Sequence, residues 1–95
     1  MRWFDMTAPE IEAVDRDATL VVQPIAAVEQ HGPHLPTGVD TILVTAFSEE
    51  VERRRPGQIL LCPTFWWGAS GHHLSFGGTL SAELERYVAV LVDLA

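Results

Sequence analysis

The chain has 95 residues, 47% of them apolar and 20% charged, which is the composition of a globular chain and not of a disordered one. That length holds one small domain with a thin core and excludes a multidomain assembly or a coiled coil. Thirteen acidic residues against six basic ones, all Arg, leave a net charge of −7, and an acidic chain repels phosphate backbones, so no nucleic-acid partner is expected.

Met1-Arg2-Trp3-Phe4-Asp5 lacks the apolar stretch of a signal peptide, and no apolar run approaches the roughly 18 residues of a membrane-spanning helix. A cytoplasmic protein with no membrane partner is the expectation. Thr7-Ala8-Pro9-Glu10 reads as a helix start. Thr7 is the cap, Glu10 completes a capping box, and Pro9 is tolerated in the first turn. This helix is expected to reach about Asp15, with a turn over Asp15-Arg16-Asp17. Thr19 to Val28 is a nearly continuous apolar run and predicts a strand buried on both faces, with Pro24 marking an edge or a bulge.

Residues 29–38 are loop by composition. A helix is predicted from Val39 or Asp40 to about Arg55, with the apolar stripe Ile42, Leu43, Ala46, Phe47 and Val51. Arg53-Arg54-Arg55 follows Glu49, Glu50 and Glu52 and reads as a solvated, salt-bridged helix end. Pro56-Gly57 terminates the helix, and Gln58 to Cys62 forms a second short strand. The lone Cys62 is expected to be a buried, reduced thiol. Residues 64–80 form a long loop, after which Ser81 is expected to cap a last helix with the stripe Leu84, Tyr87, Val88, Leu91 and Val92.

Helix, strand, helix, strand, helix specifies an α/β fold with a parallel sheet and right-handed crossovers. Two parallel strands need cover on both faces, so residues 1–95 read as the N-terminal part of a single larger α/β domain.

The chemistry concentrates in Val28-Glu29-Gln30-His31-Gly32-Pro33-His34-Leu35-Pro36-Thr37-Gly38-Val39-Asp40. In an extended chain residues i and i+2 point the same way, so Glu29 and His31 present a carboxylate and an imidazole to one point. Asp40 falls in the first turn of the next helix, where the dipole favours a carboxylate. Ligands of parallel sheets bind beyond the carboxyl ends of the strands, where this loop and the Trp- and His-rich loop 64–80 both lie. Glu/His/Asp sets suit zinc, manganese and similar ions. The plainer reading is a Glu that caps a helix and a surface His. Trp66 and Trp67 invite two readings as well: stacking on a flat cyclic amide, or packing beneath the loop or at a subunit interface.

Glu29 to Asp40 resembles the Glu-Gln-His-Gly-x-His-Leu-Pro loop and following Asp of the creatininase (creatinine amidohydrolase) family. Gly68-Ala69-Ser70-Gly71-His72-His73-Leu74-Ser75-Phe76-Gly77-Gly78-Thr79-Leu80-Ser81 is similar to that family's Gly-x-Ser-x-x-His-x-x-Phe-x-Gly-Thr-x-Ser loop, with Gly77 where the family often has Pro. The resemblance implies a three-layer α/β/α fold and two divalent metal ions, Zn or Mn, that serve hydrolysis of C–N amide bonds. It implies that Glu29 binds one metal, His31 the other, and Asp40 bridges them. His73 would lie at the substrate mouth, and His34 would have a supporting or loop-packing role. It also implies a small-molecule amide substrate, such as a creatinine-like cyclic amide, and a homo-oligomer, commonly a hexamer. The family's remaining ligands come from a later Asn-Gly-His segment and a carboxylate that this sequence does not contain, and no residue here is marked as the general acid. Two other expectations stand beside this one: a peptidase- or deformylase-like member of the same family, and a truncated, inactive remnant that binds metal or a partner subunit.

Overall fold

The computed structural model describes residues 1–95. Helix α1 spans Ala8–Glu12, strand β1 Leu20–Val22, helix α2 Val39–Arg54, strand β2 Ile59–Leu61 and helix α3 Leu84–Leu94, with 3-10 turns at Trp3–Asp5 and Gly71–His73. The order is the one that the apolar patterning predicts.

The start of α1 follows from its first four residues. The Glu10 carboxylate accepts the Thr7 backbone N–H and the Thr7 hydroxyl, each at 2.7 Å. The helix stops at Glu12, short of Asp15. Asp15 instead accepts the N–H groups of Asp17 and Ala18 and builds the turn that leads to β1.

Strands β1 and β2 are parallel, with Leu20, Val21 and Val22 opposite Ile59, Leu60 and Leu61. The expected strand over Thr19 to Val28 is broken into three short pairings, and proline is the reason. Pro24 and Pro63 have no N–H to give the ladder. The Gln23 side-chain amide donates instead, to Pro63 O at 2.7 Å and Pro24 O at 3.0 Å. Pairing resumes at Ile25 with Phe65, after one extra residue on the second strand, which makes a bulge. Val28 then pairs antiparallel with Leu80.

Burial corrects another expectation. β2 is the core, with Ile59, Leu60 and Leu61 at 6%, 3% and 6% exposure. β1 is not buried on both faces: Leu20 is 64% exposed and Val21 56%. The asymmetry comes from the edges. β2 has β1 on one side and the N-terminus on the other, where Arg2 pairs with Leu61 and Leu61 N–H donates to Met1 O at 2.8 Å. The Met1 ammonium also bonds Glu52 and Ile59 O, and Arg2 pairs with Glu49 at 2.7 Å. β1 has β2 alone.

Helix α2 packs on the sheet through small hydroxyl residues and not through its apolar stripe. Thr41 donates to Ala27 O at 2.9 Å, Thr45 shares a 2.8 Å hydrogen bond with Thr64, and the buried Ser48 bonds Val44 O of its own helix. Thr41, Thr45 and Ser48 lie at helical spacing and let the backbone approach closely. Ile42, Leu43 and Phe47 of the predicted stripe are exposed, Phe47 at 73%. Leu43, Phe47 and Val51 line an open apolar groove beside Val22, Pro24 and Ile59.

Ser81 does not cap α3, whose first residue is Leu84. Its hydroxyl accepts the Ser70 N–H at 2.9 Å, a bond within the long loop. Tyr87 of α3 stacks on Phe65, with ring centroids 6.0 Å apart. Cys62 is half-buried in the wall of a cavity of about 210 Å³, and burial raises its thiol pKa. The Arg53 and Arg54 guanidiniums both hold Glu50 at 2.7 Å, as the charge pattern predicts.

The radius of gyration is 15.5 Å, against about 13 Å for a compact domain of 100 residues. The accessible surface is 6771 Å², against about 5,400 Å² for a folded monomer of this mass. The shape is elongated, 46 × 29 × 19 Å, and many large apolar side chains are exposed. No helix is long and apolar enough to cross a membrane.

Candidate functional site

Two loops meet beyond the carboxyl ends of the strands, and backbone hydrogen bonds fix how they meet. Leu80 N–H donates to Val28 O at 2.9 Å, and Glu29 N–H donates to Thr37 O at 3.0 Å. Gln30 N–H donates to the Thr79 hydroxyl at 3.1 Å. The segment carrying Glu29 is therefore held by residues on both sides of it.

Gly68 makes the close approach possible. A Cβ at this position would stand 2.9 Å from Ala27 Cβ and 3.1 Å from Ala26 O, inside contact distance. Two residues further on, Ser70 is 2% exposed, and the 3-10 turn then delivers His72 and His73. Gly78 closes the loop at φ +79°, a left-handed conformation that favours glycine. Asp40 is placed separately, in the first turn of α2, beside the Thr41 that ties the helix to Ala27.

Glu29, His31 and Asp40 converge: one ligand atom from each lies within 4.8 Å of the others. All three are half-buried. Glu29, His72 and His73 form a second such group, which shares the Glu29 carboxylate. The spacing argument thus finds the first trio, and the second arises only from the meeting of the loops.

The hydrogen bonds of His31 decide what its ring offers. Nδ1 lies 3.0 Å from the Glu29 carbonyl oxygen, an acceptor, so Nδ1 carries the proton. The Nε2 lone pair then faces Asp40 Oδ1 at 3.4 Å. A bound cation would turn this approach of two acceptors into an attraction. Backbone-oriented imidazole beside carboxylates is a donor set of the kind that zinc and manganese take. The residues therefore fit a divalent metal.

Glu29 is ready in its charged form. The neighbouring Ser70 hydroxyl holds its carboxyl below the usual carboxylate value against partial burial, with help from the Asp40 side chain and from the charge that His73 and His72 bring when protonated. Ser70 carries no role in the sequence reading, although it occupies the Ser position of the second motif.

His34 is exposed, and its imidazole lies close beside Gly32. Trp66 and Trp67 form an exposed pair with ring centroids 5.0 Å apart. Trp67 lines an apolar cleft with Phe65, Tyr87 and Val90, and that cleft includes none of Glu29, His31, Asp40 and His73.

The family model for creatininase, creatinine amidohydrolase, matches residues 4–95. The chain belongs to the creatininase family. Relatives within reach carry several activities in their names. A mycofactocin precursor peptide peptidase of Mycobacterium ulcerans (strain Agy99) is 38% identical over 80 residues, which are 77% of this chain and 32% of that protein. The 3-dehydro-scyllo-inosose hydrolase of Thermotoga maritima is 31% identical over 90 residues, 94% of this chain and 28% of that one. Among solved structures, a tryptophan-to-alanine mutant creatininase superposes with TM-score 0.85 at 29% identity, over 98% of this chain and 38% of its own. A glutamate-to-glutamine mutant creatininase of Zn–Zn type gives TM-score 0.84 over the same shares. The chain spans about a third of the length of the curated relatives it matches. Its α/β arrangement is the creatininase one.

Proposed function

We propose that this chain serves a divalent-metal-dependent hydrolase of C–N amide bonds, with Glu29 and His31 each holding one cation and Asp40 bridging them. The observation that carries the reading is the convergence of the three donor groups, with His31 in the tautomer that leaves Nε2 free. Bound divalent cations supply Lewis acidity toward a carbonyl oxygen and lower the pKa of water. Asp40 suits the bridging place because its carboxylate has two oxygens and one already faces His31. Ser70 keeps Glu29 ionised, which a ligand requires. His73, which reaches the shared Glu29 carboxylate, is the candidate substrate contact, and Trp66 and Trp67 are the aromatic candidates for the outer part of a substrate site.

Two substrate classes fit. One is a small cyclic amide of the creatinine kind. The other is a peptide C–N bond, and it is supported by identities of 33–38% to mycofactocin precursor peptide peptidases. Self-association belongs to the same reading, because the exposed apolar faces of β1 and α2 need cover.

Calorimetric titration of the chelated chain with Zn²⁺ and with Mn²⁺ tests the site. Saturable binding is expected, weakened at least about tenfold by Asp40→Asn. Absence of binding, or an Asp40→Asn variant that binds as well as the parent, overturns the ligand assignment. Assaying the loaded protein on creatinine and on a short peptide separates the substrate classes, and turnover of neither removes the hydrolase reading.

A further inference from the structure

The two donor groups that share Glu29 are not equivalent, and Gln30 is the reason. Its side-chain amide bridges the loops. Gln30 Oε1 accepts the Gly32 N–H at 2.9 Å, and Gln30 Nε2 lies 2.8 Å from His73 Nδ1. A backbone N–H can only donate, so the first contact fixes which end of the amide is oxygen. The other end is then the NH₂, which also can only donate. His73 Nδ1 must be the acceptor, and the single proton of the neutral ring must sit on Nε2.

We propose that Gln30 is a positioning residue that locks His73 in the Nε2–H tautomer, so that His73 acts as a hydrogen-bond donor to a substrate oxygen and not as a metal ligand.

The inference rests on the proposed hydrolase reading for the substrate it names, but the lock itself does not. Ligation through Nε2 would move the proton to Nδ1 and set N–H against N–H across 2.8 Å. Turning the Gln30 amide over would relieve that clash and create another, NH₂ against the Gly32 N–H at 2.9 Å. Ligation through Nδ1 would displace Gln30 altogether. His31 stands in contrast: its Nδ1 proton is given to a carbonyl oxygen, which leaves Nε2 free. One chain segment, Glu29 to Gly32, thereby sets opposite tautomers on two histidines, one that ligates and one that donates. A neutral imidazole N–H is the kind of donor that stabilises charge developing on a carbonyl oxygen.

Nitrogen-15 NMR of the neutral imidazoles in the chelated 95-residue chain reads the lock directly, with His73 assigned by comparison with His73→Gln. An unprotonated Nδ1 and a protonated Nε2 are expected at His73. Gln30→Glu keeps an acceptor for Gly32 and offers a second acceptor to Nδ1, so the tautomer should invert to Nδ1–H. Gln30→Ala should leave a mixture. A His73 that is Nδ1–H in the parent, or a tautomer unmoved by Gln30→Glu, overturns the proposal, and the parent spectrum tests it even if a variant does not fold. Added Zn²⁺ should shift His31 Nε2 and leave the His73 Nε2 proton in place. Loss of that proton to Zn²⁺ also overturns it. Because the tautomer is read without metal or turnover, failure of Zn²⁺ to bind would overturn the ligand assignment and leave the lock standing.

Discussion

The mouth of the sheet and its flanks are organised on different terms. At the mouth, residues 26–41 and 68–82 are joined by directed hydrogen bonds, including Leu80 to Val28, Gln30 to Thr79 and Gln30 to His73, and Thr41 ties α2 to Ala27 within the first segment. On the flanks, Leu20, Val21, Leu43 and Phe47 present apolar surface with nothing over it. The contrast teaches that the chemistry of this chain is local and its cover is not. Hydrogen bonds between two loops place the donor groups over a short reach. Burial of a parallel sheet needs neighbours on both faces and both edges.

The largest effect that sharpens the contrast is in the core. Leu60→Ala is expected to cost about 2–5 kcal/mol, because Leu60 lies in the one strand with neighbours on both edges. Phe47→Ala removes a larger side chain that is 73% exposed and should change stability by no more than about 0.5 kcal/mol. Urea unfolding followed by circular dichroism compares them, and equal losses would mean that the flank is covered in solution.

A smaller effect separates two glycines of the second loop. Gly68→Ala should cost about 1–3 kcal/mol and weaken Zn²⁺ binding, because the new methyl meets Ala27 at 2.9 Å. Gly77→Ala meets nothing within 4 Å and needs no left-handed backbone, so it should be neutral or stabilise by about 0.4–1 kcal/mol. Paired melting and Zn²⁺ titrations read both, and a Gly68→Ala variant that matches the parent would show that the loops do not meet so closely.

The smallest effect lies on the solvated end of α2. The Arg53 and Arg54 guanidiniums push the Glu50 carboxyl down to about 2 from its ordinary 4.5. A depressed carboxylate pKa means stabilisation that is present above pH 4.5 and lost as pH falls toward about 2. The pair lies at a solvated helix end, with the Arg53 and Arg54 side chains about 70% exposed, so the effect should be slight and should fade with salt. Acid titration of stability in the parent and in Glu50→Gln measures it. A difference between them that persists at high salt would contradict a surface pair.

Much of the site is legible because it is sequence-local. Glu29 and His31 are two residues apart in extended chain, and Asp40 opens the next helix, so spacing alone brings the three together. Ser70 and the Gln30–His73 bridge are not legible in this way. They depend on a loop some forty residues distant, drawn in where Gly68 admits close approach to Ala27. The helix stripe is a different case. Ile42, Leu43 and Phe47 have the right periodicity for a buried face, yet Thr41, Thr45 and Ser48 make the contact. Periodicity reports that a face is apolar, and it cannot report which neighbour is present to cover it.

By itself, the sequence determined the order of elements, the capping of α1 by Thr7 and Glu10, the family and the convergence of Glu29, His31 and Asp40, because each rests on residues close in the chain. Only the tertiary structure decided that β2 and not β1 is the core, that prolines break the first strand into three pairings, that Ser81 serves the loop and not the helix, and that the Gln30 amide meets His73. Those outcomes depend on which surfaces and which donors meet across the fold, and pairings at long sequence separation leave no mark in local composition.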